Sequence, residues 1–251
     1  HGQIRRQRQM CIRDSYRLTR KGAVLIGLPG VTALIEHHKI LYQDLLNPVG
    51  FFKGVEETQL SKFWPYVFGG GMDLKSSEVE KYSDLMSESQ HLVAADTLAA
   101  VNIPSVCRFL DVGGGKGTFV RELKKIYPKV DAAVFDLPGS HSETSGHRCI
   151  IGSFKEDELP AGYDIISLVR ILYDHRDETV RDLLGKAYSA LDKGGRLIVS
   201  EPMLGADRPT LWGDVYFAMY TLAMSTGKTR SPDQVSEFIK DAGFSNVTIH
   251  K

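Results

Sequence analysis

Two hydrophobic rhythms alternate along the second half of the chain. Short continuous apolar runs occupy 107–112, 130–136, 147–151, 163–169 and 195–200, and between several of them apolar residues recur every three or four positions. Runs of that length bounded by Gly, Asp or Pro suit strands buried on both faces, whereas the wider spacing lays a stripe along a helix. The pattern predicts helices over 117–127 and 177–191. The second buries Val180, Leu183, Leu184, Ala187 and Leu191 on one stripe and ends at Gly194-Gly195. Strand and helix in alternation predict an α/β fold with a parallel sheet. A later helix opens at Ser231-Pro232-Asp233-Gln234, with a capping serine, proline at the first position and glutamine at the third, and stops at Gly243. One further strand is expected from Phe244 onward, over 245–250, with no turn or partner strand after it.

The first half reads differently. From Tyr16 to Val101 the spacing is helical, with Pro29 opening a segment in which Leu34, Ile35, His38, Leu41, Tyr42 and Leu45 form one stripe. Leu60 to Met72 is loop-like, and a longer helix then carries Val79, Tyr82, Leu85, Met86, Leu92 and Val93. A boundary is expected between Asn102 and Ser105, which divides the chain into a helical region, 16–104, and a sheet domain, 105–251. Residues 1–15 are basic and aperiodic and share no pattern with the rest of the chain. A basic arm or transit peptide is the ordinary reading. The preferred one is that they translate a sequencing-library adapter and are not native.

Composition narrows the classes. At 251 residues with 42% hydrophobic content the chain can build a sizeable core, and 31 Lys+Arg against 31 Asp+Glu leave no net charge. That balance argues against a nucleic-acid partner. No apolar run approaches membrane-spanning length. Cys11, Cys107 and Cys149 show neither paired nor metal-ligand spacing, so no metal is expected and the thiols suit a reducing, cytoplasmic compartment.

The chemistry concentrates at Phe109-Leu110-Asp111-Val112-Gly113-Gly114-Gly115-Lys116-Gly117, a strand ending in an acid and a glycine loop, with Asp136 closing the next strand. Glycines let a cofactor lie close to the backbone at a strand's carboxyl end. A dinucleotide site would show G-x-G-x-x-G, but Thr118 stands where the third glycine belongs. Asp111 would repel a pyrophosphate and suits an ammonium and a sulfonium. Asp136 can accept both hydroxyls of a ribose. Together these features point to S-adenosylmethionine. The segment Asp214 to Met224 is apolar nearly all round, so it is buried on most sides. Tyr216, Met219 and Tyr220 are expected to line a long apolar acceptor tunnel, core or dimer contact being the alternative. His37 and His38 are adjacent, point in different directions on a helix, and receive no function.

DVGGGKG at 111–117, FDLP at 135–138 and GSF at 152–154 resemble the small-molecule O-methyltransferases of the plant caffeate and acetylserotonin type, and the likeness runs from Tyr16 to the end. MSESQHLVAADTL (86–98), VRILYDHRDETV (169–180), SEPMLG (200–205) and GDVYFAMYTLAM (213–224) are most similar to the bacterial carotenoid 1-hydroxy methyltransferases acting on hydroxyneurosporene and demethylspheroidene. The resemblance implies a Rossmann-like class I methyltransferase sheet whose seventh strand inserts antiparallel between the fifth and sixth. On this reading that last strand is expected to lie beyond the sequence in hand. It also implies an N-terminal winged-helix region that mediates homodimerisation, of which 16–104 would be the tail.

By resemblance, Asp111, Gly113 and Gly115 lie near the cofactor's methionine portion, Asp136 and Leu137 at the ribose, and Ser153 and Phe154 at the adenine. Arg170 faces the cofactor carboxylate or pairs with an acid. Tyr173 occupies the position of the family's catalytic histidine. A phenol with a pKa of about 10 is a poor base and an imidazole of about 6.5 a good one, so His175 is expected to act as base, with Asp174 orienting it. Tyr173 would bind the acceptor hydroxyl or lie against the sulfonium. The competing reading makes Asp174 to Asp177 a helix-capping polar loop. Thr229, within Gly227-Lys228-Thr229-Arg230, replaces the family's second catalytic acid. The implied reaction is methylation of the 1-hydroxyl of an acyclic carotenoid, with access to a membrane surface. The rivals are C-methylation of a bacteriochlorophyll-type tetrapyrrole and a non-catalytic cofactor-binding subunit.

Overall fold

The computed structural model describes residues 17–27, 29–55, 57–63, 76–138, 147–205 and 208–250. The non-native reading of residues 1–15 and most of the loop at 60–72 lie outside the described residues. Helices α1 (Arg20–Gly27), α2 (Pro29–Asp44), α3 (Pro48–Lys53), α4 (Gln59–Phe63) and α5 (Ser76–Ala100) come first. Next come β1 (Arg108–Val112), α6 (Thr118–Ile126), β2 (Asp131–Asp136), β3 (Arg148–Ile151), β4 (Tyr163–Val169), α7 (Asp177–Ala190) and β5 (Leu191–Ser200). A wide helical turn, Leu211–Phe217, runs into α8 (Ala218–Met224), and α9 (Pro232–Asp241) closes the series.

All strand pairs are parallel and the order is β3-β2-β1-β4-β5. The expected parallel α/β sheet is thus the observed one among the described residues. Successive residues of β1 face opposite layers: Leu110 and Val112 meet α7 and α9 through Leu183, Leu184 and Phe238, whereas Phe109 meets Phe119, Val120 and Leu123 of α6. Each fully buried leucine contributes roughly 1.5–3 kcal/mol. Ala94 and Leu98 of α5 share the second cluster, so α5 covers that face of the sheet. A third cluster, Leu41, Leu60, Tyr220, Ala223 and Met224, joins α2 and α4 to α8. The sequence order reverses on either side of β1, and at such a point the crevice at the strands' carboxyl ends receives ligands.

Three local expectations change. Residues 244–250 form no strand and join no sheet among the described residues. An isolated extended segment has no partner for its N–H and C=O groups, and Phe244 instead packs edge-on to Tyr188 at 5.1 Å. Gly194 (φ +83°) does not end α7, because the helix stops at Ala190 and Leu191 already pairs with Tyr163. The glycines sit in an irregularity of β5, between the Leu191 and Arg196 pairings. The buried stripe of α2 is rotated: His37 and Leu41 are buried, whereas Ile35 and Tyr42 point to solvent. Packing against α8 selected the inward face, which periodicity alone left open.

Candidate active site

The cofactor side of the crevice is mostly backbone. The glycine loop leaves β1 with Gly113 N–H donating to the Phe135 carbonyl at 2.8 Å. Gly115 N–H donates to Asp136 Oδ2 at 2.6 Å, and Leu137 N–H to Asp136 Oδ1 at 2.6 Å. Asp136 therefore holds the loop while staying half-buried at the end of β2. Gly115 has φ +53°, and a Cβ built there meets nothing within 4 Å. One added at Gly114 would overlap Asp111 Oδ2. The loop thus has an open side at Gly115 and a closed side over Asp111.

Asp111 lies on the closed side, 1% exposed. Its Oδ1 accepts from Ser167 Oγ at 2.6 Å, and Oδ2 has no hydrogen-bond partner among the described residues. Burial raises its carboxyl to about 7, the Ser167 hydroxyl opposing and the Asp136 charge reinforcing the shift. Asp111 supports the loop from beneath, with its Oδ2 under Gly114. Beyond β3, Ser153 Oγ accepts from Lys155 N–H at 3.3 Å, and the Phe154 ring stands edge-on to His175 at 5.3 Å.

At the end of β4 the chain turns sharply. Arg170 has φ +60°, a conformation that costs a non-glycine residue about 1 kcal/mol or more. Its Nη1 donates to Ser89 Oγ at 2.8 Å and to Gln90 Oε1 at 3.4 Å on α5. A single 3-10 turn, Leu172–Asp174, comes next. Glu201, just past β5, caps it: Oε1 accepts from Ile171 and Leu172 N–H at 2.8 and 2.7 Å, and Oε2 from Tyr173 N–H at 3.4 Å. Burial nevertheless raises Glu201 to about 7, outweighing those three donors and Arg170. Asp174 is also buried and pushed well up, by desolvation first and then by the Glu201 charge, against Arg170 and a hydrogen bond from the Tyr173 side chain. Asp174 Oδ1 has no hydrogen-bond partner among the described residues. Glu201 and Asp174 thus share one guanidinium, and desolvation is the leading cause of the upward shift in each.

Tyr173 and His175 part company after this turn. The Tyr173 ring meets Phe217 edge-on at 5.9 Å. His175 lies on the Phe154 side, its imidazole lowered to about 4 by burial and by the charges of Lys155 and Arg230. Phe217 continues to Tyr216 at 5.3 Å and Tyr220 at 6.2 Å. Tyr216 and Met219 are half-buried, but Tyr220 is 5% exposed and its hydroxyl is bonded to His37 Nε2 at 2.7 Å. Tyr220 therefore presents its hydroxyl to α2 and not to an acceptor. Burial, the neighbouring His38 and Arg170 lower His37 to about 4. Burial first and Tyr42 second raise the Tyr216 phenol well above its usual range.

The structure thus brings Asp136, Leu137, Gly113 and Gly115 together, sets Ser153 and Phe154 with His175, and sets Tyr173 and Asp174 with Arg170. Three residues escaped the sequence reading. Glu201 carried a usable signal, an acid ending an apolar strand as Asp111 and Asp136 do. His37 and Arg230 carried none. No group of three His, Cys, Asp or Glu residues that could hold a metal occurs among the described residues.

Residues 42–245 match an O-methyltransferase domain family. The chain is 45% identical over 240 residues to the demethylspheroidene O-methyltransferase of Rhodobacter capsulatus, a match covering 94% of this chain and 61% of that protein. The protein of that name from Cereibacter sphaeroides is 44% identical over 239 residues, covering 91% and 63%. The chain therefore spans under two thirds of the length of either. The crystal structure of human N-acetylserotonin methyltransferase in complex with SAM superposes with a TM-score of 0.65 at 27% identity, over 70% of this chain and 53% of that one.

Proposed function

The chain belongs to the O-methyltransferase domain family, and we propose that it transfers a methyl group from S-adenosylmethionine to the 1-hydroxyl of an acyclic carotenoid of the demethylspheroidene type. The observation that carries this reading is the glycine loop at the sheet's switch point, held by Asp136 and open at Gly115. The two bacterial relatives supply the acceptor class.

Bound S-adenosylmethionine supplies an electrophilic methyl carbon on a sulfonium. The residues fit such a group: Asp136 and Leu137 take the ribose, Gly113 and Gly115 admit the methionine portion, and Ser153, Phe154 and His175 wall the adenine. Arg170 is the cation at the carboxylate end. The acceptor lies along Tyr216, Phe217 and Met219, which orient it and exclude water. Tyr173 contacts the acceptor oxygen. As the acceptor oxygen is alkylated, its proton passes to Tyr173 while the phenol proton moves to Asp174, which must be ionised to take it; burial makes that carboxylate the stronger base once it is ionised. His175 is a poorer base than its sequence position suggested, because an imidazole held to about 4 accepts a proton weakly. It also stands against the adenine wall.

The full-length protein acts as a homodimer in this reading. Exposed Tyr42, Leu46, Val49, Phe52 and Val55, along and just after α2 and α3, support an apolar partner face. No helix among the described residues is long and apolar enough to cross a membrane; the apolar chemistry of the acceptor is what favours contact with a membrane surface.

The test is incubation of the full-length protein with S-adenosylmethionine and a 1-hydroxy carotenoid, with mass spectrometry for a methyl ether. Cofactor binding without product overturns the acceptor assignment. A second reading, C-methylation of a bacteriochlorophyll-type ring, draws support from Tyr173 in place of the histidine and predicts a C-methyl product.

A further inference from the structure

Residues 227–230 stand where the resembling family carries a catalytic acid, and with Thr229 at that place the segment has no chemistry of its own. It nevertheless wraps the turn that bears Tyr173. Lys228 N–H donates to the Tyr173 carbonyl at 2.8 Å, and a Cβ on Gly227 would overlap that carbonyl oxygen. Arg230 is 3% exposed. Its Nη1 donates to the Leu172 carbonyl at 2.9 Å and to the Lys228 carbonyl at 3.1 Å, and its Nη2 to the His175 carbonyl at 2.8 Å. Nε and Nη2 also hold Asp177 Oδ1 at 2.9 and 2.7 Å, at the first residue of α7. Arg230 is itself anchored beyond β5, where Leu204 N–H donates to its carbonyl at 3.0 Å.

The turn is therefore gripped on two sides. Glu201 takes its N–H groups, and the 228–230 segment takes its carbonyls. An arginine needed only for charge balance would be satisfied by Asp177. This one also donates to two main-chain carbonyls on either side of Tyr173 and Asp174, a fork geometry that lysine cannot reproduce.

We infer that Arg230 is a positioning residue, which fixes the Leu172–His175 turn so that the Tyr173 hydroxyl meets the acceptor oxygen with the Asp174 carboxyl behind it. The inference rests on the reading of Tyr173 as the acceptor contact. The strained Arg170 backbone immediately before the turn adds to the need for such a grip.

The experiment combines hydrogen exchange of the 168–177 segment with steady-state kinetics for Arg230→Gln, Arg230→Lys and Asp177→Asn in the full-length protein. Arg230→Gln raises exchange at the turn by roughly ten- to a hundredfold, the range expected when buried charge-assisted bonds are lost. Turnover falls by a similar factor, while KM for S-adenosylmethionine stays within about twofold. Arg230→Lys falls between wild type and Arg230→Gln, and Asp177→Asn, which keeps the guanidinium, loses less. Unchanged exchange at the turn, or a rise in KM without a fall in turnover, overturns the inference. If Arg230→Gln does not fold, turn exchange and turnover must still move together in the other two variants, and their separation overturns it. Full activity of Tyr173→Phe would sink the reading of Tyr173 and leave the exchange result standing, so the two failures are distinguishable.

Discussion

The two halves of the crevice are built from different materials. The glycine-loop half is built chiefly by one stretch, Asp111 to Leu137, whose key bonds run from Gly113, Gly115 and Leu137 N–H to the carbonyl of Phe135 and the carboxylate of Asp136 at the end of β2. The half proposed to take the acceptor is made of side chains from α2, the turn after β4, the end of β5, the Leu211–Phe217 segment with α8, and residues 227–230. A backbone cradle depends on glycine placement and strand ends, which are local properties of sequence. A side-chain chamber depends on which helix faces meet, which is settled only by packing. One family can therefore keep its cofactor while its acceptor changes.

The largest effects that sharpen this contrast lie within the glycine loop. Gly114→Ala drives a methyl into the buried Asp111 carboxylate. It should cost about 2–4 kcal/mol of stability, in the range of overpacked or strained buried sites. Gly115→Ala meets no protein atom and pays only for its left-handed backbone, about 1 kcal/mol. Its methyl, however, projects into the open side. Titration calorimetry with S-adenosylmethionine should show at least roughly a tenfold loss for Gly115→Ala, and denaturant unfolding should show the larger loss for Gly114→Ala. If the two variants exchange these phenotypes, the open and closed sides of the loop are wrongly assigned.

Legibility in the sequence divides along the same line. The strands, α6, α7 and the Ser231–Gln234 capping box rest on short-range patterns, and the box is present in full. Periodicity placed a helix at α2 but aimed its stripe through Ile35 and Tyr42, because nothing local distinguishes that face from the one carrying His37. Glu201 received no role although it obeys the same strand-end pattern as Asp136. The depth of Asp111 was not legible either. A strand-end acid looks alike whether its carboxylate faces a ligand or lies sealed under its own loop.

That sealed carboxyl has a pH signature of intermediate size. Its folded value of about 7 lies above the ordinary 3.8, so the folded state binds more protons between those limits and stability falls as pH rises through the window. His37 and His175, both lowered from 6.5 to about 4, act in the opposite sense, stabilising above 6.5 and losing that contribution as pH drops. The Asp111→Asn comparison cancels the histidines. Chemical unfolding at pH 5 and pH 7 should lower wild-type stability by about 2–3 kcal/mol relative to the variant, for a window of about two pH units at 1.36 kcal/mol each. Parallel pH dependences would mean that Asp111 ionises freely and faces the ligand side.

The smallest expected effect probes the acceptor half at its far edge. His37→Phe keeps the ring volume on α2 but removes the bond to the Tyr220 hydroxyl, leaving a buried phenol without that partner. The loss should be about 1–2 kcal/mol in stability. Its kinetic consequence is the more telling measurement. Tyr220 neighbours Phe217, which neighbours Tyr173, so a tilted Tyr220 ring reaches the acceptor wall before it reaches anything on the glycine loop. KM for the acceptor should rise about two- to fivefold, with S-adenosylmethionine affinity unchanged. A change confined to cofactor affinity would mean that the proximity of His37 to Arg170 matters more than its bond to Tyr220. The two halves of the crevice would then be coupled through α2, and not independent as their construction suggests.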